Sequence, residues 1–315
     1  MLRYIGKRLL IAIPTLILIS IFVFSLQKLL PGDPALVMAG EERDPKVIEY
    51  IREKYRFNDP LPYQYFYWVN GVVHGDFGMS LRTNQPVLTL IEQKLPVTIQ
   101  LALMSMILAL LIGIPTGILS AVKKGTVVDY IANIVALSGL SIPNFWLGIM
   151  LILLVSVRLH WLPASGYVSP FVDPWRSFAT MLMPSFVLGS AISSAFMRHT
   201  RSAMLSVLKS DYVRTARAKG LTETIVVLKH AFRNALIPIV TLGALIFGEL
   251  LAGAVLTEQI FTIPGFGKLI VDAVFNRDYS VVQGMVLCTA VAFIVMNLVA
   301  DVLYVVLNPR LRDTL

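Results

Sequence analysis

The chain has 315 residues, 56% of them hydrophobic and 15% charged, with a mean hydropathy of +0.73. A soluble domain carries about 25% charged residues, so the composition excludes an ordinary soluble enzyme and indicates a polytopic membrane protein. The net charge of +8 then reads as basic loops facing anionic membrane lipid, not as a nucleic-acid surface.

Charge-free stretches of about 20 residues mark spanning helices. They are predicted at 9–30, 97–122, 130–157, 178–197, 234–257 and 281–307, giving an all-α membrane protein with six transmembrane helices. The N-terminal 1–8 is basic. The apolar run after it exceeds the roughly 7–15 residues of a signal-peptide core. LLPGDP follows in place of a small-residue cleavage site, so this run is expected to stay as the first membrane helix.

Residues 31–95 are too long for a turn and are predicted to form a helical external subdomain. Asp44-Pro45 opens a helix there, with Val47, Ile51 and Tyr55 on one face. The aromatic run PYQYFYWVNGVVHGDFG suits the membrane–water interface, since Tyr and Trp favour it. Beyond this subdomain, 96–308 forms the core.

Prolines fall in or near five of the six spans: Pro14, Pro115, Pro143, Pro184 and Pro238. Membrane helices tolerate them because neighbours satisfy the freed backbone groups. Gly113 and Gly117, and Ala244, Gly248 and Ala252, are spaced for close helix contact. Cys288 is the single cysteine, in an apolar run, and is expected to serve packing.

Basic clusters alternate along the chain. Arg3, Lys7 and Arg8 precede the first span; Lys123 and Lys124 follow the second. Arg198, Arg201, Lys209, Arg214, Arg217, Lys219, Lys229 and Arg233 follow the fourth; Arg310 and Arg312 close the chain at 309–315. The positive-inside rule places these clusters, and both termini, in the cytoplasm.

No phosphate-binding G-x-x-x-x-G-K-[ST], no H-E-x-x-H and no G-x-S-x-G occurs. His74, His160, His199 and His230 are scattered over loops on both sides and make no metal site. No catalytic centre is expected. Polar residues within the spans are few. Asn133, Ser141 and Asn144 fall on one face of an unbroken third helix; Ser190 and Ser194 line the fourth; Glu249 sits in the outer half of the fifth. These six are candidates for a translocation path. Glu249 and Asp301 together also permit a second reading, a gradient-driven secondary transporter, although their depths differ. Intramembrane acids usually face protein or water.

The cytoplasmic loop 198–233 contains SDYVRTARAKGL at 210–221. Asp211 is suited to cap a helix running through Ala218. Ala216, Ala218 and Gly220 leave low relief against a partner. Arg214 and Arg217, at i, i+3, present two guanidinium forks to carboxylates on that partner. Charge alone also permits a mere topology signal.

This stretch resembles the coupling motif E-A-A-x-x-x-G of binding-protein-dependent ABC importer permeases, with Arg214 and Thr215 replacing its Glu and first Ala. D-Y-x-R-T-A-R-A-K-G-L and K-H-A-x-R-N-A-x-x-P are similar to the dipeptide/oligopeptide/nickel subgroup, which includes dipeptide and glutathione permeases. LPGDPA at 30–35, GDFGMS at 75–80, TEQIFTIPGFG at 257–267, RDYSVVQG at 277–284 and VLYVVLNPRLR at 302–312 agree. Ser280 stands where the subgroup usually has Pro.

The resemblance implies a type I importer permease in a bacterial-type inner membrane, the first of two permease subunits. It implies a homologous second permease, two ATPase subunits that use ATP and Mg, and an external binding protein. Asp211, Tyr212, Arg214, Thr215, Ala216, Arg217, Ala218, Lys219, Gly220 and Leu221 would then contact an ATPase. Glu258, Pro264, Gly265 and Gly267 would form an external gate or loop. No cofactor is implied for this chain. The implied cargo is a short peptide, with glutathione or a nickel chelate as alternatives.

Overall fold

The structure is a computed structural model describing residues 2–29, 35–36, 44–54 and 56–307. Tyr55, most of LPGDPA and the basic C-terminal Arg310 and Arg312 lie outside the described residues. Among the described residues, twelve named helices carry the fold: α1 Leu2–Leu29, α2 Pro45–Lys54, α3 Leu61–Val73, α4 Val87–Val122, α5 Val127–Ser141, α6 Asn144–Arg158, α7 Pro174–Val207, α8 Asp211–Ala218, α9 Glu223–Leu251, α10 Val255–Ile260, α11 Phe266–Phe275 and α12 Tyr279–Leu307. The described residues contain no strand; an isolated bridge pairs Met79 with Pro86.

Five helices, α1, α4, α7, α9 and α12, are each long and apolar enough to cross a membrane. The sixth crossing differs from its expectation. The apolar run 130–157 is not one helix: α5 and α6 meet at 96° around Ile142-Pro143. Pro143 has no N–H for the helix ladder and disfavours helical backbone at Ile142, which is extended at φ −77, ψ 121. By contrast, α4, α7 and α9 carry Pro115, Pro184 and Pro238 within continuous helix. Two segments widen into π-helical turns, Ile152–Arg158 and Val226–Ala231.

The centre of the fold is the α4–α7 pair. A methyl group built on Gly113 would lie 2.5 Å from the Ser193 carbonyl oxygen, and one on Gly117 would lie 2.6 Å from Thr200 Cβ. Any side chain there would push the helices apart, so the two glycines set their approach. Leu101, Met181 and Phe196 are fully buried along this seam. Gly248 repeats the device between α9 and α12, where a Cβ would meet Met296 Cβ at 3.1 Å.

In the 45–79 subdomain, α2 half-buries Val47 and Ile51, as their spacing predicts. The aromatic α3 does more than lie at an interface. Tyr65 and Ser20 of α1 share a hydrogen bond of 2.8 Å, and Phe24 packs edge-on against Tyr65 at 5.5 Å. These contacts fasten the subdomain to α1. At the other end of α1, Arg8 pairs with Asp301 of α12 at 3.0 Å.

Candidate functional site

The short helix α8 is amphipathic in a specific sense. Val213 and Ala216 are buried against Ala121 of α4, Met204 of α7, and Val226, Val227, Ala231 and Ala235 of α9. Asp211, Tyr212, Arg214, Thr215, Arg217, Ala218, Lys219, Gly220 and Leu221 remain exposed. One face is thus fixed to the bundle by apolar burial and the other is open. Ala216 belongs to the buried face, so it does not supply low relief to a partner.

The helix starts after extended Ser210, whose carbonyl accepts from the Val213 and Arg214 N–H groups at 3.1 and 3.2 Å. Asp211 is therefore the first helical residue and not the cap; its carboxylate pairs with Arg214 at 3.1 Å. Gly220 ends the element at φ +76, and its N–H reaches the Arg217 carbonyl at 3.0 Å. Nothing would lie within 4 Å of a Cβ there. The requirement for glycine is conformational, as at many helix C-termini.

The basic residues differ from expectation. Both guanidinium groups are engaged within the chain: Arg214 with Asp211, and Arg217 with Glu223 through two bonds of 3.1 and 2.7 Å. The bond to Glu223 holds Arg217 firmly protonated and ties the end of α8 to the start of α9. These pairs are exposed, and exposed pairs contribute about 0–1 kcal/mol, so a partner carboxylate is able to exchange with either. Asn234 of α9 donates to the Tyr212 hydroxyl at 2.8 Å.

Behind α8 lies a polar knot that sequence reading missed. Arg201 of α7 donates to both carboxylate oxygens of Asp129 at 2.8 and 2.9 Å. Asp129 also accepts from the Ser120 hydroxyl, the Gly125 N–H and the Asn133 amide, at 2.5, 2.9 and 2.7 Å. Asn133, a path candidate, is thus tied to the α4–α5 turn through Asp129. The signal available was an Asp four residues after a glycine turn, with an arginine in the following basic loop. That arginine was assigned to the loop because α7 runs ten residues further than its apolar stretch.

The remaining path candidates do not converge. The 96° bend separates Ser141 from Asn144, so Asn133, Ser141 and Asn144 share no face. Ser141 lies in a recess beside Phe145 and Trp146. Ser194 lines a cavity of about 310 Å³ between α4, α5 and α7, with Thr116, Ile131 and Met197. The Ser190 and Ser194 hydroxyls are spent on the carbonyls of Val187 and Ser190. Glu249 is exposed. Asp301, paired with Arg8, is a structural tie between α1 and α12.

Away from α8, the four residues expected to form an external gate or loop do come together. Glu258 of α10 has 0% exposure. It accepts from the Thr98 hydroxyl of α4 and the Lys268 N–H of α11, both at 2.7 Å. Thr98 in turn accepts from the Phe266 N–H at 2.8 Å. A Cβ on Gly265 would sit 2.4 Å from the Glu258 carboxylate, and one on Gly267 would sit 3.2 Å from it. Ile263-Pro264-Gly265 thus wraps a buried acid, whose burial pushes its carboxyl upward against the lowering effect of its hydrogen bonds. The cluster is built as a rigid corner.

Residues 113–313 match the family described as "Binding-protein-dependent transport system inner membrane component", and residues 1–102 match its N-terminal region. The chain belongs to this family of ABC importer permeases. The permease is 44% identical over 312 residues to the glutathione transport system permease protein GsiC of Escherichia coli strain K12, covering 99% of each chain. It is equally similar to the GsiC of Shigella dysenteriae serotype 1 strain Sd197, again at 44% identity and 99% coverage of each. Its fold matches a chain of the inward-facing MetNI methionine ABC transporter with a TM-score of 0.58. That match has 16% identity and covers 70% of the permease and 97% of the other chain, and it establishes the type I importer permease fold. The permease is therefore a multi-pass inner-membrane transport subunit of a binding-protein-dependent ABC importer.

Proposed function

We propose that the permease takes up ATP-driven motion through residues 211–221 and uses it to pass short peptides across the membrane. The observation that carries this reading is the division of α8 into a buried face, Val213 and Ala216, and an exposed one. Such a helix transmits a push, because the apolar face moves with α4, α7 and α9 while the open face meets another protein. The proposed partners are two ATPase subunits that consume ATP and Mg, a homologous second permease and an external binding protein. The proposal puts both termini and α8 on the cytoplasmic side, a reading supported by the basic clusters. The buried Glu258 corner is assigned to the outer rim, where it frames the closed end of the path.

The cargo class rests on the relatives, which are named for glutathione, itself a small peptide. The alternative of a nickel chelate has no ligand cluster among the described residues to favour it. The test is ATPase stimulation in the reconstituted importer, with its binding protein loaded by a dipeptide, by glutathione or by a nickel chelate. Stimulation by either peptide supports the reading; stimulation by the nickel chelate alone overturns the cargo assignment. Transport by the permease reconstituted alone overturns the ATP-driven role.

A further inference from the structure

A second cavity, of about 310 Å³, lies where α1, α3, the 76–81 loop and the start of α12 meet. Its walls include the aromatic rings of Phe24 and Trp68, which pack at 5.9 Å. Its charged lining is mixed: Lys54 and Arg56 are basic and Asp76 is acidic. The Arg56 guanidinium carbon lies over the Tyr67 ring, 4.5 Å from its centroid. A guanidinium so held presents N–H donors suited to an oxyanion. Asp76 is held in place by the Gly78 N–H at 2.9 Å.

Tyr279 also lines the cavity. It is 3% exposed, and its hydroxyl is buried without a hydrogen-bond partner among the described residues. An oxygen with no accessible surface meets no ligand, so Tyr279 contributes its ring and not its hydroxyl to the cavity wall.

The depth of the cavity narrows the ligand. Phe24 lies at the end of the Ile5–Ser25 span, and Tyr279 opens the Tyr279–Val306 span. Both mark the same boundary of the apolar layer, opposite the Arg8–Asp301 end. Phospholipid headgroups sit at that level, and Tyr and Trp favour it. A phosphate suits Lys54 and Arg56, an ammonium suits Asp76, and acyl chains would run down the exposed side of α1.

We propose that this cavity binds the headgroup of an aminophospholipid, a phosphate joined to an ammonium, from the leaflet beside the 45–79 subdomain. The lipid would brace the subdomain against α1 and α12. The site is separate from the coupling helix and needs no assumption about cargo.

The test uses the purified importer complex titrated with short-chain dihexanoyl phosphatidylethanolamine, read by Trp68 fluorescence, with Trp68→Phe identifying the signal. Saturable binding is expected, weakened about ten-fold by Arg56→Ala or Asp76→Asn, the loss of one charge-assisted contact. Dihexanoyl phosphatidylglycerol is expected to bind with no dependence on Asp76. Equal affinity for all variants overturns the proposal. So does displacement of the lipid by inorganic phosphate or by the dipeptide alanyl-phenylalanine at lower concentration than the lipid itself; the dipeptide result would instead make this a cargo site.

Discussion

Arg201 holds Asp129 through both carboxylate oxygens, at 2.8 and 2.9 Å, and so joins the long helix α7 to the α4–α5 turn. Asp129 is 4% exposed, and three further donors, Ser120, Gly125 and Asn133, complete its shell. A carboxylate so enclosed fixes the orientation of every element it touches. Lys at 201 would keep the charge and lose the fork. Arg201→Lys and Asp129→Asn are therefore expected to lower the thermal midpoint of the complex and its recovery from membranes several-fold, with Asp129→Ala the most severe. Thermal unfolding followed by the yield of assembled complex checks the ranking.

The α4–α7 seam makes a steric prediction. Gly113→Val and Gly117→Val place methyl groups against Ser193, Phe196 and Thr200, where overpacking costs about 1–3 kcal/mol. Both variants are expected to lose thermal stability. Gly6→Val has nothing within 4 Å and serves as the control with wild-type stability.

Glu258 carries a pH prediction. Burial raises its carboxyl above the ordinary 4.5, so the folded state holds a proton that the unfolded chain has released. Stability from this group is fully present below 4.5 and is lost as pH rises through the higher folded value. In Glu258→Gln this slope disappears. The amide keeps its oxygen on the Lys268 N–H and turns its NH2 to the Thr98 hydroxyl, which accepts in place of donating. The thermal midpoint of both proteins measured against pH tests the sign.

Gly220 at φ +76 is a local requirement. Gly220→Ala strains the turn by about 1–2 kcal/mol while touching no neighbour. It is expected to leave membrane insertion intact and to lower transport per ATP hydrolysed. Expression level beside coupled uptake distinguishes the two effects.

The spans, the α4–α7 glycines and the α8 segment were legible in the sequence because each depends on local pattern: apolar run length, small-residue spacing, a glycine at a helix end. From sequence Pro143 falls within one span like Pro115, yet only Pro143 marks a 96° break, since a proline's effect depends on what packs around it. The path residues misled because a hydroxyl or amide in a span has partners that only the fold supplies. Asn133 belongs to Asp129, and Ser190 and Ser194 to their own helix. The free forks expected of Arg214 and Arg217 were lost to acids three and six residues away. The Glu258 corner was carried by resemblance; its chemistry required Thr98, 160 residues distant.

The central claim is that α8 meets an ATPase with its exposed face. Single cysteines across 211–221 in the assembled importer, oxidised against cysteines in the ATPase groove, test it most directly. Cross-links are expected at Thr215→Cys, Ala218→Cys and Leu221→Cys, and none at Val213→Cys or Ala216→Cys. Cross-linking at the buried pair, or at none of the five, would contradict the account.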